Sequence, residues 1–74
     1  MSVHILKVLR AEKFKNITEG VPFHGKNDIG ETMIGMKISE LTGGQNCVNL
    51  DTGMLDTIED NISVDLIAIE AGDR

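Results

Sequence analysis

The apolar residues of this chain fall into short runs, and turn-forming residues separate one run from the next. The clearest run is segment 32–39, in which apolar side chains alternate along the chain. Such alternation predicts a half-buried strand, since successive side chains of a strand point to opposite faces. One face carries Ile34, Met36 and Ile38, and the other carries Met33, Gly35, Lys37 and Ser39.

Three further segments are typical of strands. Residues 3–10 are rich in Val, Ile and Leu, although a helix also fits so short an apolar run. Residues 47–51 and 55–59 predict two short strands that flank a turn at Thr52-Gly53.

The last apolar run changes phase partway along. Apolar residues alternate from Ile62 to Leu66, and Ile67 and Ile69 then follow on the opposite phase. A bulge near Leu66, or a strand covered on both faces, explains the change.

The segments between these runs carry turn signals. Residues 11–20 predict one helical turn, with Phe14 and Ile17 on one side and Gly20 at its end. Residues 21–31 contain a proline, two glycines and Asn-Asp, and therefore predict a loop. Two tight turns complete the pattern, at 42–46 and 60–61.

These elements predict a single small, mainly β domain over residues 1–74, with about five short antiparallel strands. A small SH3-like open barrel is the first expectation, and a five-stranded sheet that shares an edge with a second subunit is the alternative. A chain of 74 residues buries only about 60% of its unfolded surface. Cys47 is the only cysteine, so no disulfide within the chain can reinforce this thin core. We therefore expect a homo-oligomer.

Charge and composition exclude several classes of protein. The net charge is −5, although five of the seven basic residues lie within the first 26 positions. With only two aromatic residues, the chain lacks the stacking surface typical of nucleic-acid binding. A nucleic-acid partner is therefore only an alternative, and it would bind through Lys7, Arg10, Lys13 and Lys15. One cysteine and two separated histidines do not predict a metal site, and no cofactor is expected. We expect a cytoplasmic protein with no membrane partner, for three reasons. The thiol is free, the N-terminus does not resemble a signal peptide, and the chain has no long apolar run.

The triplet Asp51-Thr52-Gly53 matches the catalytic motif of retroviral-type aspartic proteases. That chemistry needs two such aspartates across a dimer axis, a flap hairpin and a later apolar strand. Only 21 residues follow Gly53, which leaves no room for a flap. We expect a turn in which Gly53 adopts a positive φ, and the protease is the less favoured alternative.

Two resemblances bear on origin. The stretch DIGETMIG is similar to a motif of the small RNA-binding carbon-storage regulators. In this chain, however, 33 residues run from the N-terminus to Met33 of the motif, whereas those regulators have only a few residues before it. A larger part of the chain resembles small uncharacterised accessory proteins of tailed bacteriophages, which implies a phage origin and a similar β fold. The matching positions are Phe14, Ile17, Gly20, Phe23, Met36-Lys37-Ile38, Val48-Asn49-Leu50-Asp51-Thr52-Gly53-Met54-Leu55, Val64 and Ile67.

No nucleophile in the sequence has an evident base, so we expect a binding protein and not an enzyme. As a phage protein, it would counter a host system by blocking a host protein or by sequestering a small anionic, nucleotide-type signal. The loop around His24 to Asp28 offers a charge, a titratable donor, a stacking ring and exposed N–H groups. The predicted ligand-binding residues are Phe23, His24, Gly25, Lys26 and Asn27.

Overall fold

The computed structural model describes residues 3–71, together with the side chains of residues 4–69. Its regular structure is one open sheet of six antiparallel strands and one 3₁₀ turn. The mainly β fold class is thereby confirmed, with one strand more than the five or so expected. The elements are β1 (Val3–Lys13), the 3₁₀ turn (Phe14–Asn16), β2 (Pro22–Lys26), β3 (Thr32–Lys37), β4 (Cys47–Asn49), β5 (Leu55–Asp56) and β6 (Ser63–Ala71).

The strands lie in the order β1-β6-β2-β3-β4-β5, so β1 and β5 form the two edges of the sheet. Within residues 3–71 no pairing joins these edges, and the sheet is therefore open. The ladder between β1 and β6 is the longest, whereas β2 meets β6 at only two pairs, Phe23 with Leu66 and His24 with Asp65.

Strand β2 lies inside the segment 21–31, so the prediction of a loop there is wrong for residues 22–26. Phe23 is fully buried, and its burial outweighs the local turn signals. Gly25 marks a close approach of two strands and not a bend. A Cβ atom at this position would lie 2.5 Å from Val64 Cγ1, so only glycine lets β2 come this close to β6.

The core lies on one face of the sheet, under the 3₁₀ turn. The rings of Phe14 and Phe23 meet edge to face at 5.5 Å between centroids, and Ile17 is buried beside them, as the predicted helical turn requires. In β3 the more buried face is the one that carries Met33 and Gly35. The core cluster consists of Phe14, Ile17, Phe23, Met33, Cys47, Ile58 and Val64, with Val21 and Leu66 packed against it.

The change of phase in β6 reflects burial on both faces of this strand and not a bulge within it. Leu6 and Leu9 of β1 have no partner in the register, so the two bulges lie in β1, opposite the stretch that follows Leu66. Val64 belongs to the core cluster, whereas Ile67 is equally buried but lies outside it. Strand β6 is therefore covered on both faces.

Candidate functional site

A cavity of about 580 Å³ lies beside the junction of β2 and β6. The two strands pair at Phe23–Leu66 and His24–Asp65, and one step further along Gly25 still lies close to Val64. Its lining comes from two segments of the chain, residues 24–28 with Gly30 and Thr32, and Glu59 with residues 62–65. A volume of this size is typical of pockets for small molecules.

Four of the five predicted ligand-binding residues line this cavity, namely His24, Gly25, Lys26 and Asn27. Phe23 does not, because its side chain is 0% exposed and packs in the core. The expectation that Phe23 stacks on a ligand is therefore wrong. Side chains at even and odd positions of a strand point to opposite faces, which separates Phe23 from His24 and Lys26.

Asn27 holds the wall of the cavity together. Its side chain is 7% exposed, and its Nδ2 donates to Asp56 Oδ2 at 2.8 Å and to Glu31 Oε1 at 3.5 Å. Its Oδ1 accepts from the N–H groups of Ile29 and Glu31. An amide has two donors and one acceptor oxygen, and all of them are engaged inside the protein. Asn27 thus shapes the site but has little capacity left for a ligand.

The backbone of this loop also lacks spare donors. Every N–H group from residue 27 to residue 31 donates within the protein, so the loop does not form the anion-binding concavity that a phosphate needs. Of the N–H groups that we expect the loop from His24 to Asp28 to expose, those of Asn27 and Asp28 are therefore already engaged. The acceptors are Glu31 O for Asn27, Thr57 O for Asp28, Asn27 Oδ1 for Ile29, Asn27 O for Gly30 and Asn27 Oδ1 for Glu31.

The charges that line the cavity are mainly negative. Asp28, Glu59 and Asp65 contribute three carboxylates, and Lys26 contributes one ammonium group. With His24 neutral, one positive and three negative charges give a net −2 around the cavity. Glu59 and Asp65 come from a segment more than 30 positions after Lys26, and no local sequence pattern connects the two. The pairing of β2 with β6 places Asp65 opposite His24, and the fold brings Glu59 to the same cavity.

The Asp51-Thr52-Gly53 triplet forms the turn between β4 and β5. Asn49 Oδ1 accepts hydrogen bonds from the N–H groups of Asp51 and Thr52, and Gly53 has the positive φ (76°) expected of it. Asp51 is exposed at the tip of this hairpin. The prediction of a turn is confirmed.

The basic residues near the N-terminus are all exposed but are not concentrated in one patch. The register places Lys7 and Arg10 on one face of β1 and Lys13 on the other. Glu12 lies beside them, with its Oε2 3.9 Å from Arg10 Nη2. Hydrogen bonds from the Asn16 side chain and the Lys13 N–H hold the pKa of Glu12 below its usual value.

Cys47 is buried in the core, and desolvation, with smaller contributions from Asp56 and Asp28, raises the pKa of its thiol to about 11. Such a thiol is a packing residue and a poor nucleophile. Within residues 3–71 no three His, Cys, Asp or Glu side chains are grouped so as to hold a metal ion.

In the same part of the chain, no helix has the length and apolar character needed to cross a bilayer. Comparisons of the whole chain with protein families, curated proteins and solved structures return no match.

Proposed function

We propose that this protein is a non-enzymatic binding protein that captures a small, positively charged molecule in the cavity beside the junction of β2 and β6. The observation that carries the proposal is the convergence of Asp28, Glu59 and Asp65 on one cavity of about 580 Å³. Ile62, which is 40% exposed, adds apolar wall, so a ligand with both an amine and an aliphatic part would fit the lining best.

This proposal changes the sign of the ligand charge from the sequence-based expectation. An anion would meet three carboxylates, and it would find neither spare N–H groups in residues 27–31 nor the ring of Phe23. An anion in this cavity would have Lys26 and His24 as its side-chain donors. The proposal has three further parts, which rest on the sequence resemblance alone. They are a bacteriophage origin, action in the host cytoplasm and a role against a host system.

Titration followed by amide NMR tests the sign of the ligand. The probes are spermidine, a flexible aliphatic polycation, and adenosine 5′-monophosphate, an anion with a base. We expect saturable shifts with spermidine at residues 24–32 and 59–65, and no saturable shifts with the nucleotide. Saturation by the nucleotide alone would favour the anionic signal instead.

Charge variants separate this site from the general acidity of the protein. Glu59→Gln and Asp65→Asn each remove one negative charge from the cavity, and each should weaken spermidine binding about two- to fivefold, as for partly exposed ion pairs. Asp51→Asn is the matched control, because it removes an equal charge at an exposed turn outside the cavity lining. Equal losses in all three variants would refute a specific site.

A further inference from the structure

His24 and Asp65 face each other across the junction of β2 and β6. The two residues are partners in the register, and both line the cavity. Partners in an antiparallel pair point to the same face of the sheet, with their Cβ atoms about 5 Å apart. Both side chains are partly buried, so water and salt screen a charge on either of them less than at an exposed position. A charge on the ring of His24 would therefore act directly on the Asp65 carboxylate.

The elements around His24 bring charges of both signs. Strand β3 contributes no charge, because it places Ile34 opposite His24 and Thr32 opposite Lys26. The charged groups that line the cavity or share this face are Asp65 from β6, Lys26 from β2, Asp28 from the loop after β2, Glu59 from the segment before β6 and Lys13 from β1, which lies opposite Ser63. All of them except Asp65 are at exposed positions. Asp65 is thus the least screened of these charges, and His24 is its direct partner.

We propose that His24 makes the capture of the cation depend on pH, so that the cavity binds it more tightly at neutral than at mildly acidic pH. This inference rests on the proposed function. Histidine is the side chain that changes its charge between about pH 5 and 8. While His24 is neutral, the lining holds three negative charges and one positive charge, and a proton on His24 changes this net charge from −2 to −1. The imidazolium would also pair with Asp65, so the proton and the ligand compete for the same carboxylate.

Competition of this kind acts in both directions. If a proton on His24 weakens the binding of the cation, the bound cation weakens the binding of the proton by the same factor. Binding of the cation at about pH 6 should therefore release part of a proton for each ligand bound. This consequence can be measured in the wild-type protein.

Calorimetric titration with spermidine at about pH 7.5 and about pH 5.5, at constant ionic strength, tests the proposal. The wild-type protein should bind about two- to fivefold more weakly at the lower pH, as for the loss of one partly exposed ion pair. His24→Gln cannot take up the proton, so its affinity should change much less between the two pH values. His4→Gln is the matched control and should keep the full dependence, because it removes the other histidine of the chain, which is exposed and outside the cavity lining.

The release of protons gives a second measurement, which holds even if a variant fails to fold. Heats of binding in two buffers of different ionisation enthalpy yield the number of protons released for each spermidine bound. At about pH 6 the wild-type protein should release part of a proton. Circular dichroism of the variants shows whether each one retains the fold.

The outcomes separate this inference from the proposed function. Spermidine that fails to bind at either pH would overturn the proposed function and the pH dependence with it. Saturable binding of equal strength at both pH values, with no proton released, would overturn the pH dependence alone. A dependence of equal size in the wild-type protein and in folded His24→Gln would also overturn it, because another group would then be responsible.

Discussion

Asn27 Nδ2 donates a hydrogen bond to Asp56 Oδ2 at 2.8 Å, across 29 positions of the chain. This bond joins the loop after β2 to strand β5, and the same side chain accepts the N–H groups of Ile29 and Glu31. One buried amide thus connects the wall of the cavity to the edge of the sheet.

Asn27→Ala should lower the free energy of unfolding by about 1–3 kcal/mol, because several buried polar groups lose their partner. Urea denaturation measures the change. Asn61→Ala, an exposed amide in the turn at 60–61, is the control and should have an effect within about 0.5 kcal/mol of zero. Similar values for both variants would contradict a structural role for Asn27.

Gly53→Val should destabilise the hairpin of β4 and β5, because a β-branched residue would have to adopt the positive φ of 76°. We expect a loss of about 1–3 kcal/mol in thermal or urea unfolding. Asp51→Asn should change stability little, since the carboxylate is exposed. If Asp51→Asn instead abolished a measurable peptidase activity in a protein that remains folded, the protease alternative would stand.

Lys26→Glu should strengthen the binding of a polycation about two- to fivefold, because it adds a carboxylate to a cavity that already holds three. The matched control is Lys15→Glu, an equal change of charge at an exposed position of the 3₁₀ turn and outside the cavity lining. Calorimetric titration with spermidine compares the two. Weaker binding in Lys26→Glu alone would indicate that the ligand is an anion held by this ammonium group.

The buried thiol of Cys47 should make stability depend on alkaline pH. Its pKa is raised from 9.0 to about 11 in the folded chain, so between these values the unfolded chain releases a proton that the folded chain keeps. The stabilising contribution is complete below pH 9 and is lost as the pH rises towards 11, by up to about 1.4 kcal/mol for each unit.

Urea unfolding at several alkaline pH values measures this slope, and Cys47→Ala should reduce it. Alkylation by iodoacetamide gives a second measurement, in which native Cys47 should react far more slowly than the urea-unfolded chain. Rapid alkylation of the native protein would contradict the burial of this residue.

Short-range patterns in the sequence determined much of the fold. The apolar runs at 3–10 and 32–39 are strands, Phe14 and Ile17 are buried side by side, and Gly53 has its positive φ. Each of these features depends on neighbours within a few residues, such as the alternation of a strand or the steric freedom of glycine. Such constraints are already present in the local chain.

Tertiary pairing decided what the local pattern left open. Residues 22–26 read as a loop, yet burial of Phe23 and the close approach at Gly25 make them a central strand. Asp65 joins the candidate site because β6 lies beside β2, and Glu59 joins it through the segment that precedes β6. The register between distant strands depends on the whole sheet, because a slip by one residue would move the apolar side chains of a strand from the buried face to the exposed one. For that reason most of the strands could be predicted from the sequence, whereas strand β2 and the charge of the cavity arise only in the folded chain.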